Sequence, residues 1–189
     1  MASFNIHIAI GIRYIEKNNI KNKEELLKGV VAPDLTDDKR ESHYASNVSK
    51  DNLIEYLESK VMLNEFLNRN EIDSDYNKGI FLHLITDFLF FNNFFDKNYI
   101  SNISYQGFIN DLYYSYDISN KFLKEKYNIN NNTFNEYIKN SIKKRNYVKG
   151  TYNDVLPQDK LFSFIEYVSD INLEDYKNKI LKAGKNVLP

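Results

Sequence analysis

The chain has 189 residues, with 25 Lys and Arg against 26 Asp and Glu and a formal net charge of −1. That length suits one domain, and the charge balance argues against a surface built for a polyanion such as duplex nucleic acid. The absence of cysteine excludes disulfides and thiolate metal ligands, so any bound metal must rest on imidazole and carboxylate groups.

Apolar residues make up 42% of the chain, enough for one continuous core. The beginning, Met1-Ala2-Ser3-Phe4-Asn5, has no basic segment leading into an apolar stretch, so no secretory signal is read and a cytoplasmic protein is expected. The most apolar run, residues 80–95, is too short to span a bilayer and carries His83 and Asp87. It reads as a buried core helix, and no transmembrane segment is expected.

In chain order, residues 4–18 form the first predicted helix, with Ile6, Ile10, Ile12 and Ile15 giving an apolar face. A short helix over residues 24–30 is expected to end in the turn Gly29-Val30-Val31-Ala32-Pro33-Asp34, followed by a polar loop over residues 35–49. Residues 51–70 are helical in pattern with a break near Ser59. Asp73 or Ser74 starts the central helix, which runs to about Phe95, and another helix covers residues 105–127. After the polar turn at 128–132, Thr133-Phe134-Asn135-Glu136 fits a capping box. Pro157 suits the first turn of a further helix, and Asn172 caps a last one that Gly184 closes. No alternating strand pattern of useful length occurs. The expectation is an all-α, single-domain multi-helix bundle over residues 1–189, in which the first 97 residues carry the chemistry and residues 98–189 complete the bundle.

The three histidines carry the chemical signal. His83 and Asp87 are spaced i, i+4 on the most apolar helix, which puts both side chains on one face, a turn apart. An ionised carboxylate buried there costs several kcal/mol unless a cation or hydrogen bonds offset it. Alone, the pair reads more readily as a hydrogen-bonded couple inside the core. His7 lies among Ile6, Ile8, Ala9 and Ile10, and His43 follows the segment opened by Pro33-Asp34. Together with Asp34 these residues supply three imidazoles and two carboxylates, the donor chemistry that zinc and its neighbours accept when thiolates are absent.

The ordered set of an early helical His7, then Ala32-Pro33-Asp34, then Ser42-His43, then Gly79-Ile80-Phe81-Leu82-His83-Leu84-Ile85-Thr86-Asp87 resembles the bacterial zinc-dependent phospholipase C family. That family shares its helical fold with single-strand-specific nucleases, and the resemblance covers about the first half of the chain. It implies a bundle of that type and zinc, or another divalent ion, as cofactor. Asp34, His43, His83 and Asp87 would hold one ion, and His7 and Asp87 a second, with Asp87 bridging. The family completes the second position with main-chain atoms of an N-terminal Trp, and this chain contains no Trp. The family's third ion requires further histidines after the bridging Asp. Here those positions offer no His; Asn93 and Asp111 or Asp117 are the only nearby substitutes, so a full trinuclear site is not expected.

The resemblance also implies an activity, hydrolysis of a phosphate ester, with a small phosphoester or a phospholipid as substrate. Asp34 would act both as ligand and as acceptor of the nucleophile's proton. The rival reading is a catalytically silent metal-binding bundle in which the ions staple helices. An HD-type phosphohydrolase needs an adjacent His-Asp dyad, which this chain lacks. Outside the set, Tyr113-Tyr114-Ser115-Tyr116 reads first as ordinary packing and second as the lining of a pocket for a choline-like cation, held by ring faces. Lys39-Arg40 reads as a solvated pair within reach of a phosphate, and Lys143-Lys144-Arg145 as an exposed helix end.

Overall fold

The computed structural model describes residues 2–129 and 153–189. The architecture is all-helical, with no strand among the described residues. The helices are α1 (Phe4–Lys17), α2 (Lys23–Leu35), α3 (Lys39–Ser42), α4 (Leu53–Glu58), α5 (Leu63–Arg69) and α6 (Asp75–Leu89), continued by a π-helical turn (Phe90–Phe94). They are followed by α7 (Lys97–Ser101), α8 (Tyr105–Lys126), α9 (Gln158–Ser169) and α10 (Leu173–Ala183). Among the described residues, no helix is long and apolar enough to cross a membrane.

Local chemistry sets most helix ends. The side chains of Ser3, Asn22, Ser74, Ser104 and Asn172 each accept from backbone N–H groups of the first turn they precede. Such caps satisfy donors that the helix itself cannot. Gly184 closes α10 at φ 65°, a left-handed conformation that glycine adopts without strain. Pro157 stands at the cap of α9, one position before its first turn.

The central helix α6 is buried from Phe81 through Leu89, apolar nearly all round, as its sequence predicts. Its closest neighbour is α2, and the two approach through glycines. A Cβ on Gly29 would lie 2.0 Å from the Tyr76 carbonyl oxygen, and one on Gly79 would lie 2.2 Å from that of Leu26. Only bare Cα atoms allow two helix backbones this close. On its other side α1 packs against α2 and α9, and Arg13 clamps Glu166 with two hydrogen bonds of 2.8 Å. Phe90, Phe94, Phe95, Phe108 and Phe164 form an aromatic knot beneath the π-turn.

Three expectations need correction. The second helix is longer than expected and runs through Pro33 to Leu35. Pro33 lies in the last turn, where its missing N–H removes a single helix bond, so it does not terminate the helix earlier. Gly29, read as a turn residue, is instead the contact point of a helix crossing. The segment expected as a loop contains α3, and α7 was not anticipated; both are too short for periodicity to register. The break near Ser59 is present, separating α4 from α5. The capping box at Thr133–Glu136 and the Lys143-Lys144-Arg145 run lie outside the described residues.

Candidate metal centre

α1 brings His7, α2 brings Asp34, the end of α3 brings His43, and α6 brings His83 and Asp87; all five side chains are buried. The Gly29–Gly79 contact is what lets α2 reach α6 closely enough for Asp34 to join the others. His43 is aimed inward by a chain reversal at Tyr44, which takes φ 57°. A tyrosine in that region is strained by about 1 kcal/mol or more. The ring of Tyr44 is held in place against Phe66, and its hydroxyl accepts from Asn70.

The imidazoles are oriented by main-chain carbonyls. His83 Nδ1 lies 2.7 Å from the Val30 carbonyl oxygen, and His43 Nδ1 lies 2.7 Å from that of Lys39. A carbonyl can only accept, so each Nδ1 donates its proton and each Nε2 keeps its lone pair. Those two Nε2 atoms face one another at 3.0 Å. Two lone pairs at that distance require a cation between them, either a proton or a metal ion.

A proton would account for one contact only, and the centre contains more. Asp87 Oδ2 lies 3.3 Å from His43 Nε2 and 3.8 Å from His83 Nε2. His7 Nε2 lies 3.3 Å from Asp87 Oδ1, and its ring stacks on His83 at 3.7 Å between centroids. Both His7 nitrogens and Asp87 Oδ2 are buried with no hydrogen-bond partner. Orphaned polar atoms in a core are rare and call for an explanation. The edges of 3.0, 3.3 and 3.8 Å between His43 Nε2, His83 Nε2 and Asp87 Oδ2 bracket the edge of about 3.3 Å for a tetrahedron whose donors stand ~2.0 Å from its centre. The donor set therefore fits a metal ion.

Charge points the same way. Burial pulls the His83 imidazole down to about 3, so it is neutral near pH 7. Burial alone would raise the Asp87 carboxyl, but the imidazoles of His7 and His43 beside it hold it well below the usual range. Asp34, too, is held below its ordinary value against its burial, by His83 and His7 and by Lys39, whose Nζ lies 3.3 Å from Asp34 Oδ1. Two ionised carboxylates thus sit in one buried cluster.

Two groupings of donors lie close enough to share an ion: His7, His83 and Asp87, and Asp34, His43 and His83. No grouping of this kind involves any other described residue. Asp111 is engaged elsewhere, accepting from the Tyr99 hydroxyl at 2.6 Å and from the backbone of Asn153. Asn93 is exposed on the π-turn. An element that sequence reasoning missed is the main-chain N–H of Ala2, which donates to Asp87 Oδ1 at 2.6 Å and sets the start of the chain against the cluster.

A cavity of about 490 Å³ opens beside the centre. Ala2, Asp34 and His43 line it, as do Tyr113 and Tyr116, so part of the tyrosine run borders the cavity. Lys39 and Arg40 lie on its edge, and Lys60 joins them from the break between α4 and α5. No sequence signal singled out Lys60.

Comparison with known proteins finds no family model, no curated protein and no solved structure that matches the chain. Fold and site define an all-helical protein with a buried three-His, two-Asp centre that could hold a metal ion.

Proposed function

We propose that this chain is a metal-dependent hydrolase of phosphate esters, with zinc as its resident ion. The observation that carries the reading is the pair of imidazole lone pairs opposed at 3.0 Å beside an unpartnered buried carboxylate oxygen, in a cluster that reaches a cavity through His43 and Asp34. A core made only for packing has no use for such an arrangement, whereas a metal site bordered by space for a ligand does. The order of His7, Ala32-Pro33-Asp34, Ser42-His43 and His83-to-Asp87 along the chain, which resembles the zinc-dependent phospholipases C, supplies the chemical class. The Ala2 N–H at Asp87 Oδ1 agrees with that resemblance, since main-chain atoms complete the family's second position.

In this reading Asp34, His43, His83 and Asp87 hold one ion, while His7 and Asp87 Oδ1 face a second position. Imidazole and carboxylate donors without thiolates suit zinc. When bound, such an ion polarises a phosphoryl oxygen and brings the pKa of a water molecule down toward neutrality. The protein's own part is positional. The carbonyls of Val30 and Lys39 fix both rings through Nδ1, the outer-shell arrangement that orients metal ligands. Asp34 lies where the cluster meets the cavity, and its carboxylate accepts the proton of the attacking water. Lys39 holds that carboxylate in place from the cavity edge.

A second reading, an ion that only staples helices, is favoured by one observation: no third group of ligands occurs among the described residues. The two separate in a simple experiment. Purified protein should contain at least one zinc per chain by elemental analysis, and should hydrolyse chromogenic phosphate esters in a manner abolished by chelator and restored by metal. Bound metal without turnover on a broad ester panel would eliminate the hydrolase and leave the staple.

A further inference from the structure

Lys60 occupies an unusual position for a lysine. It projects into the cavity from the break between α4 and α5, and that break is bonded to the segment bearing His43. The Ser59 carbonyl accepts from Ser46 N–H at 3.0 Å, and Met62 N–H donates to the His43 carbonyl at 3.4 Å. The ammonium is thus mounted on the same local frame as a ligand of the metal centre. It sits 4.0 Å from the centroid of the Tyr56 ring and donates to the Tyr56 hydroxyl. Tyr56 is braced in turn by Tyr105, edge to face at 5.4 Å.

Among the described residues, no carboxylate lies within ion-pair distance of Lys60 or of Arg40. Exposed cations elsewhere also lack one, but the other half-buried cations among the described residues, Arg13, Lys28, Lys39, Lys78 and Lys177, all meet an acidic partner. Lys60 is also half-buried, and burial pulls its ammonium below the ordinary value. Withdrawing an ammonium from water without an anion is costly, and a ring face offsets part of that cost. The missing component is a negative charge.

We infer that the cavity is built for the terminal phosphate of a phosphomonoester, whose non-bridging oxygens are taken by Lys60 and Arg40. This inference rests on the metal-site reading above and names the substrate class for it. With one divalent ion offsetting Asp34 and Asp87, the described residues that line the cavity retain Lys39, Arg40 and Lys60 against Asp117, an excess of two positive charges. A monoester carries a charge near −2 at pH 7, whereas a diester carries a single one. The charge of the cavity matches the monoester. Tyr105, Tyr113 and Tyr116 leave a largely aromatic wall for the organic part of the ester.

The test compares the metal-loaded native protein with K60Q and K60R, using p-nitrophenyl phosphate, bis-p-nitrophenyl phosphate and inorganic phosphate as probes. Metal content should be the same in all three. The native protein should prefer the monoester, and K60Q should lower the monoester-to-diester ratio of kcat/KM about tenfold or more, the loss of one charge-assisted hydrogen bond. K60Q should weaken phosphate binding by a similar factor in calorimetry, and K60R should recover most of both. A native preference for the diester, or an equal loss on both esters in K60Q, overturns the inference. Should the native protein turn over neither ester, the hydrolase reading fails, and phosphate binding still decides on Lys60. Binding that weakens in K60Q and returns in K60R supports an anion site there; phosphate bound equally well by K60Q, or by no variant, refutes it.

Discussion

Asp87 is engaged on both sides by different groups, and this makes the two positions around it separable. Its Oδ2 faces His43 and His83, while its Oδ1 faces His7 Nε2 at 3.3 Å and accepts from Ala2 N–H at 2.6 Å. His83 is therefore expected to be indispensable for the tight ion, and His7 only for a second one. In H83A, metal affinity should fall on the order of 100-fold or more, since loss of even an outer-shell partner costs 10–100-fold. In H7A one tightly bound ion should survive with affinity within about threefold of native. Competition titration against a chromogenic chelator reads both numbers. If H7A empties the protein completely, His7 belongs to the same ion and the two-position arrangement is wrong. The five clustered side chains were legible in the sequence because His is scarce here and because His7, His83 and Asp87 fall inside apolar helical runs, where polar groups need a reason to exist. Lys60 was not legible: a lysine between two helices has no pattern, and only its half-buried place without an acidic partner among the described residues, a property of the fold, marks it out.

At the scale of elements, the crossing of α2 and α6 controls the site, since Asp34 comes from one and His83 and Asp87 from the other. Two further bonds depend on it. The Val30 carbonyl that orients His83 belongs to α2, and the closest approach occurs between Gly29 and Gly79. A methyl group at residue 79 would meet backbone atoms of Leu26, Val30 and Gly29 at 2.2, 2.8 and 2.9 Å, none of which can rotate away. G79A should therefore push the helices apart, lowering stability by about 1–3 kcal/mol, the usual range for overpacking, or more. This outweighs the gain of about 0.5–1 kcal/mol that Gly→Ala normally brings within a helix. Because the displacement stretches the bond from His83 to Val30, metal affinity should fall with it. Urea unfolding and metal titration on the same sample test the coupling; a G79A protein more stable than native would show that the glycines do not set the crossing. The sequence pattern placed most helices, since capping residues and apolar periodicity act locally. It misread Gly29 as a turn because a glycine needed for close packing and one needed for a turn look alike without the partner helix.

For the whole molecule, the buried centre sets how stability responds to acid and to metal. His83 has its imidazole pulled down to about 3, against an ordinary value of about 6.5 in the unfolded chain. Between those values the unfolded chain binds a proton at this position and the folded one does not, so stability rises with pH across the window and falls on acidification. One such proton corresponds to a slope of about 1.4 kcal/mol per pH unit. Asp34 and Asp87 act in the same direction at lower pH. Their folded values lie below the ordinary carboxylate range, so the stability they contribute is present above pH ~4 and lost as pH falls through those depressed values. Metal-free protein should accordingly lose urea stability steadily from pH 6.5 downward, and H83Q, which keeps a polar side chain but cannot titrate, should flatten the slope by about one proton's worth. On the proposed reading zinc binds the folded centre and not the unfolded chain to the same degree, so a hundredfold excess over Kd should add about 2.7 kcal/mol at pH 7. That increment should shrink with acid, because His7, His43 and His83 must be unprotonated to act as ligands. Parallel unfolding curves with and without chelator from pH 7 to pH 4.5 separate the two contributions. If the metal-free slope is the same in H83Q and native protein, then the imidazole at the centre of the fold is not held neutral, and the opposed lone pairs on which the metal site depends do not exist.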